Sequence, residues 1–119
     1  MKSNELRIGN LIKDEHGSII NIVEIADFDR IAVGNNRVVK DLSNCEPIPL
    51  TEEWLLNLGF RDHIININDL EFSLLIKNKL LVIVHNDEPK GLCIDIEFVH
   101  QFQNIYFALN GEELTIKMP

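Results

Sequence analysis

Strict alternation of apolar and polar residues, broken by two helical stretches, constrains this chain more than any other feature. In LEFSLLIK, Leu70, Phe72, Leu74 and Ile76 fall on one side, with Glu71, Ser73 and Lys77 opposite. A period of two is the pattern of a half-buried strand. KNK then turns the chain into LLVIVH, which is apolar on both faces and reads as a central strand. NDEPKG reads as a polar loop, after which LCIDIE alternates again. Its Leu92, Ile94 and Ile96 point inward, and Cys93, Asp95 and Glu97 outward. RDHIININ can supply one more strand ahead of these, and ELTIKM, through Leu114, Ile116 and Met118, suits a closing edge strand.

The first fifty residues read as short strands separated by turn signals. LRIGNLIK precedes the turn DEHGS, and IINIVEI precedes DFD. RIAV and RVVKDL flank GNN, a tight hairpin signal because Gly and Asn tolerate positive φ. EPIPL closes the segment, and its prolines place it at an edge or outside the ladder. Four or five short strands at this spacing suggest a small, strongly bent sheet or an SH3-like half-barrel.

Between the two strand-rich parts lies PLTEEWLLNLGF. Thr51 is the natural N-cap, and Glu52 and Glu53 lie in the first turn, where the helix dipole favours negative charge. Leu50 and Leu55 have the spacing of a hydrophobic staple. Gly59 fits the left-handed position after the last turn, with Phe60 able to fold back on it. Trp54 shares a face with Leu55 and Leu58 and reads as a core anchor.

The second helix is read over residues 98–110. Phe98, Phe102, Ile105 and Leu109 are spaced i, i+4, i+7 and i+11, so they form one stripe that can cover a sheet. Opposite the stripe lie His100, Gln103, Asn104 and Phe107. Solvated helix faces usually carry Glu, Lys or Arg; a face of amides, one imidazole and one large aromatic has the composition of a protein-contact patch. Two readings stay open: the face packs against the chain's own N-terminal part, or it is exposed to a partner or a second copy.

These elements define an α+β fold: an N-terminal bent sheet, a helix, an antiparallel sheet and a C-terminal packing helix. With 119 residues the chain reads as a single domain, with possible lobes at 1–50 and 51–119. There is no low-complexity linker and no internal repeat.

The formal net charge is −8. Residues 1–50 hold six basic and eight acidic residues, a balance of −2, leaving −6 for the rest. That balance disfavours broad phosphate-backbone binding, which needs clustered Lys and Arg. A local strip of Arg7, Lys13, Arg30, Arg37 and Lys40 is the one route to nucleic acid. Cys45 and Cys93 form no C-x-x-C pair and read as reduced thiols. MKSNELRIGN has no apolar signal region, and runs such as LLVIV are too short to cross a bilayer, so a cytoplasmic location is expected.

VHQFQNIYFALNGEEL, together with IPLTEEWLLNLGF and the opening ELRIGNLI, resembles a family of small proteins common in Bacteroides-type gut bacteria and their phages or integrated elements. The family pattern is an aromatic followed by V-H-Q-L-Q-N-L-Y-F-A-L-T-G-E-E-L. Here Phe102 and Ile105 stand for leucines and Asn110 for a threonine, changes that suit a helix face or cap. The three blocks lie at the start, middle and end of the chain. The resemblance implies a mobile-element context and no particular activity.

No catalytic motif stands out. DEH at Asp14–His16 and HNDE at His85–Glu88 offer oxygen and imidazole groups but lie beside turns. No H-E-x-x-H, C-x-x-C, P-loop, G-x-G-x-x-G or G-x-S-x-G is present. No catalytic residue, metal or cofactor is therefore expected, and the chain is not expected to be an enzyme. The expectation is a small interaction module acting by protein–protein contact or self-association through His100, Gln103, Asn104 and Phe107. The alternatives are a nucleic-acid-associated protein using the N-terminal lobe, or an inhibitor of a host defence protein.

Overall fold

The computed structural model describes the backbone of residues 3–85 and 88–116, and the side chains of residues 4–84 and 94–116. It is an α+β fold of two four-stranded antiparallel sheets, each a simple meander, and two α-helices. The chain divides into two compact units: Met1–Ile48 with Phe98–His100, and Pro49–Glu97 with Gln101–Pro119.

In the first unit a short 3-10 turn, Ser3–Glu5, leads to β1 (Leu11–Lys13), β2 (Ile19–Ile25), β3 (Arg30–Val33) and β4 (Val38–Asp41). The strand expected over LRIGNLIK shrinks to β1, because Gly9 is left-handed at φ 98° and Asn10 folds back on Arg7. The Asn10 Oδ1 accepts from the Arg7 N–H at 2.7 Å, and the Asn10 N–H donates to the Arg7 carbonyl at 3.0 Å. GNN makes the expected connection, with Gly34 at φ 71° and Arg37 at φ 51°.

After β4, Asp41 caps a 3-10 turn over Leu42–Asn44 by accepting from the Ser43 N–H at 3.1 Å. The chain then returns to β1. Glu46 and Lys13 exchange two backbone hydrogen bonds of 2.9 Å, an isolated bridge rather than a strand. Pro47 and Pro49 explain why pairing goes no further. The core of this unit is Leu6, Ile12, Ile22, Ile31, Val33, Leu42 and Cys45, with Ile20 packed against it.

The second unit opens with α1 (Glu52–Leu58). The Thr51 Oγ1 accepts from the Trp54 N–H at 3.2 Å, and Gly59 ends the helix at φ 102°. The Phe60 N–H reaches the Leu55 carbonyl at 2.9 Å, closing the C-terminal motif the sequence signals. Leu55 and Leu58 are buried, while Trp54 is only half-buried.

The sheet follows in the order β5 (Ile64–Ile67), β6 (Leu70–Leu75), β7 (Leu80–His85) and β8 (Glu88–Asp95). β7 lies inside the sheet, as its two apolar faces require. Ile65, Phe72 and Ile83 are in register on one face, and so are Leu74, Leu81 and Ile94. Phe60 and Phe102 meet with ring centroids 4.9 Å apart. The final helix, α2, spans Val99–Asn110 and ends at Gly111, φ 76°, whose N–H bonds the Phe107 carbonyl at 2.8 Å.

Four expectations change. Leu70 is exposed, because it follows directly on a turn, and Ile76 leaves the strand for a 3-10 turn over Ile76–Asn78. Most of the expected NDEPKG loop is strand, since β8 already pairs with β7 at Glu88 and Pro89. Residues 113–116 form no strand, so the expected closing edge is absent from the described residues, and Met118 lies outside them. The expected outward Cys93 side chain also lies outside them.

Candidate functional site

The four residues expected to form one contact face on α2 do not share one accessible surface. His100 and Gln103 are buried, each 2% exposed; Asn104 is half-buried; Phe107 is 38% exposed. The stripe divides in the same way: Phe102 is fully buried while Leu109 is 40% exposed. Burial along α2 therefore depends on distance from its N-terminus more than on the angle around its axis. Val99, His100, Phe102 and Gln103 crowd the first two turns on several sides, and residues 107–109 of the last turn are all exposed. The Asn68 side-chain amide donates to the Leu109 carbonyl, tying the β5–β6 turn to that last turn. Leu70, 45% exposed, begins β6 beside the same turn.

His100 has an uncommon environment for an ionisable group. Its Nδ1 is buried with no hydrogen-bond partner, and its ring stacks on Phe98 with centroids 5.9 Å apart and planes within 9°. Burial pushes its pKa down, and the Glu5 charge pulls it up by less. The folded state thus disfavours the charged imidazole.

A second arrangement, which the sequence did not reveal, lies in the second unit. Asp62 and His63 are both left-handed, φ 52° and 64°, between Arg61 and Ile64, whose backbones exchange hydrogen bonds of 2.8 and 2.9 Å. Two left-handed central residues are the mark of a type I′ turn. The His63 carbonyl also accepts from the Leu74 N–H at 2.8 Å, so this turn is fastened to β6. The imidazole Nε2 then sits 2.9 Å from each oxygen of Glu52 in the first turn of α1. Glu52 and His63 line an open hollow of about 510 Å³ together with residues 74–78.

Two smaller hollows, of about 250 and 290 Å³, share Lys79, Ile96 and Glu97. Lys79 is left-handed, φ 54°; its carbonyl accepts from the Ile96 N–H and its Nζ donates to the Glu97 Oε2, both at 2.8 Å. The signal available in sequence was the pair Asp62–His63, residue types that tolerate positive φ, but nothing in the sequence linked it to Glu52.

The other residues singled out in sequence behave differently. Asp14 organises its own turn by accepting from the backbone N–H groups of His16 and Ser18. Its carboxyl is nonetheless opposed by desolvation, the largest influence; the hydrogen bonds and the Lys40 and His16 charges together bring its pKa below the usual value. Among the described residues no three His, Cys, Asp or Glu side chains come together as metal ligands, and the side chains of His85 and Glu88 lie outside them. Cys45 is buried in the first core, and burial raises its thiol pKa, which suppresses thiolate reactivity.

Three cations of the proposed basic strip face carboxylates within their own unit: Arg30 with Asp27, Arg37 with Glu24 at 2.7 Å, and Lys40 with Glu15 at 2.8 Å. No described helix is long and apolar enough to cross a membrane. No family model, curated protein or solved structure matches this chain.

Proposed function

We propose that this chain is a non-catalytic interaction module that acts by protein–protein contact through the exposed end of α2. The observation that carries this reading is the exposure of Phe107 and Leu109, 38% and 40%, on a helix whose first turns are buried. Leu70 adds a third exposed apolar side chain beside the turn that Asn68 ties to this helix end. Aromatic side chains are enriched at the centre of such contacts, and Phe107 is the aromatic at this helix end.

The reading places the module in the cytoplasm, in the mobile-element setting that the resemblance implies. The return of Glu46 to β1 supports regarding the first sheet as an SH3-like half-barrel. In this reading the first unit is a support, because its Arg30, Arg37 and Lys40 face carboxylates rather than offering charge to nucleic acid.

The test is affinity capture with matched baits, the wild-type chain and the double variant Phe107→Asp, Leu109→Asp. Both positions are exposed, so the thermal unfolding midpoint is expected to change little. A partner, or a second copy, that the wild type enriches and the double variant loses supports the reading. Equal capture by two equally stable baits overturns it.

A further inference from the structure

We propose that the hollow beside Glu52 and His63 is a binding site for a small molecule with an apolar body and a hydrogen-bond-donating head. This site is separate from the end of α2 and does not depend on the reading given above.

Three observations point to a ligand of that chemistry. The first is size and lining. About 510 Å³ is within the range of small-molecule sites, and Leu74, Leu75 and Ile76 give it an apolar wall. Leu75 stays 42% exposed at the end of β6, leaving apolar surface for an incoming group to cover.

The second is the fixed imidazole. A left-handed histidine is an uncommon and strained choice; here it sits in the turn closed by the Arg61–Ile64 pair, and its carbonyl accepts from the Leu74 N–H. The Glu52 carboxylate then orients the ring from Nε2.

The third is the free ring nitrogen. A carboxylate accepts only, so in the neutral ring the proton sits on Nε2 and Nδ1 keeps its lone pair. Nδ1 has no partner among the described residues. In that form it is an acceptor on a residue that lines the hollow, and it selects a donor. A hydroxyl or amide N–H meets that requirement; an ether or a bare hydrocarbon does not. Lys77 and Asn78, also in the lining, provide further polar contacts for a ligand that extends beyond the apolar wall.

The experiment is a titration of the full chain, at neutral pH, followed by two-dimensional NMR of backbone amides and histidine rings. The probes are 2-phenylethanol and its methyl ether, which share an apolar body and differ in the donor. The expected result is saturable shifts of the His63 ring and of the amides of residues 74–78 with the alcohol, and roughly three- to tenfold weaker binding of the ether. His63→Asn keeps a residue that tolerates the left-handed turn and is expected to erase the preference for the alcohol. Leu75→Asn, at an exposed position, is expected to weaken both probes. Absence of saturable shifts in the wild type, equal binding of alcohol and ether, or a preference unchanged in His63→Asn would each overturn the proposal. If His63→Asn disturbs the spectrum elsewhere, Leu75→Asn decides: unchanged affinity for both probes overturns the site.

Discussion

At the scale of single residues, His100 is an ionisable group that folding buries. Its Nδ1 is buried without a partner, and the folded state therefore disfavours adding a proton. The pKa is lowered on folding, so the unfolded chain binds the proton more readily. Stability is fully present above the unfolded value, about 6.5, and falls as pH drops below it. Between pH 7 and 5.5 this residue is expected to lower stability progressively. Urea unfolding across that interval measures it, and His100→Leu is expected to flatten the profile while costing little at pH 7, because it removes an unpaired buried polar atom. An unchanged slope in His100→Leu contradicts this account. The sequence placed His100 on the correct helix with Gln103, but burial at this position depends on how far along α2 it lies, and a helical projection carries no information on that coordinate.

At the scale of elements, what was legible was whatever local chemistry decides. The N-cap at Thr51, the left-handed Gly59, strands β2 and β3, and the central position of β7 follow from capping, backbone freedom and alternation. The misreadings were boundaries that pairing decides. Glu88 and Pro89 join β8 because β7 offers partners to them, against the polarity of NDEPKG. The β5–β6 turn shows how such connections are tuned. Asn68 and Asp69 are both left-handed, at φ 50° and 67°, between the paired Ile67 and Leu70. Asn–Gly is the preferred pair for this geometry. Asp69→Gly removes a left-handed penalty of roughly 1 kcal/mol and adds chain entropy worth somewhat less, so a net stabilisation of about 0.5 kcal/mol is expected. Chemical denaturation with an unchanged m-value checks it; destabilisation would mean that the Asp69 side chain contributes more than its backbone costs.

At the scale of the whole molecule, charge and exposed apolar surface oppose each other. Nineteen acidic residues against eleven basic ones keep copies apart at neutral pH. Ile8, Phe28, Val38, Val39, Leu56 and Leu70 are all more than 40% exposed, in addition to Phe107 and Leu109 at the end of α2. Single exposed apolar residues are ordinary, but they cease to be neutral once repulsion is removed. The balance of charges cancels near pH 4.8, and His100 begins to lose its stabilising burial above that point. Static light scattering scanned from pH 7.5 downward is therefore expected to rise toward a maximum near the isoelectric point. Two explanations of such a rise can be separated by moving the charge balance without touching the cores. Arg61→Glu with Lys77→Glu changes exposed positions and makes the chain four charges more acidic. If loss of repulsion controls association, the maximum moves to lower pH in this variant and stays in place in His100→Leu. If acid unfolding controls it, the order reverses: His100→Leu delays the rise, and the charge variant leaves it where it was.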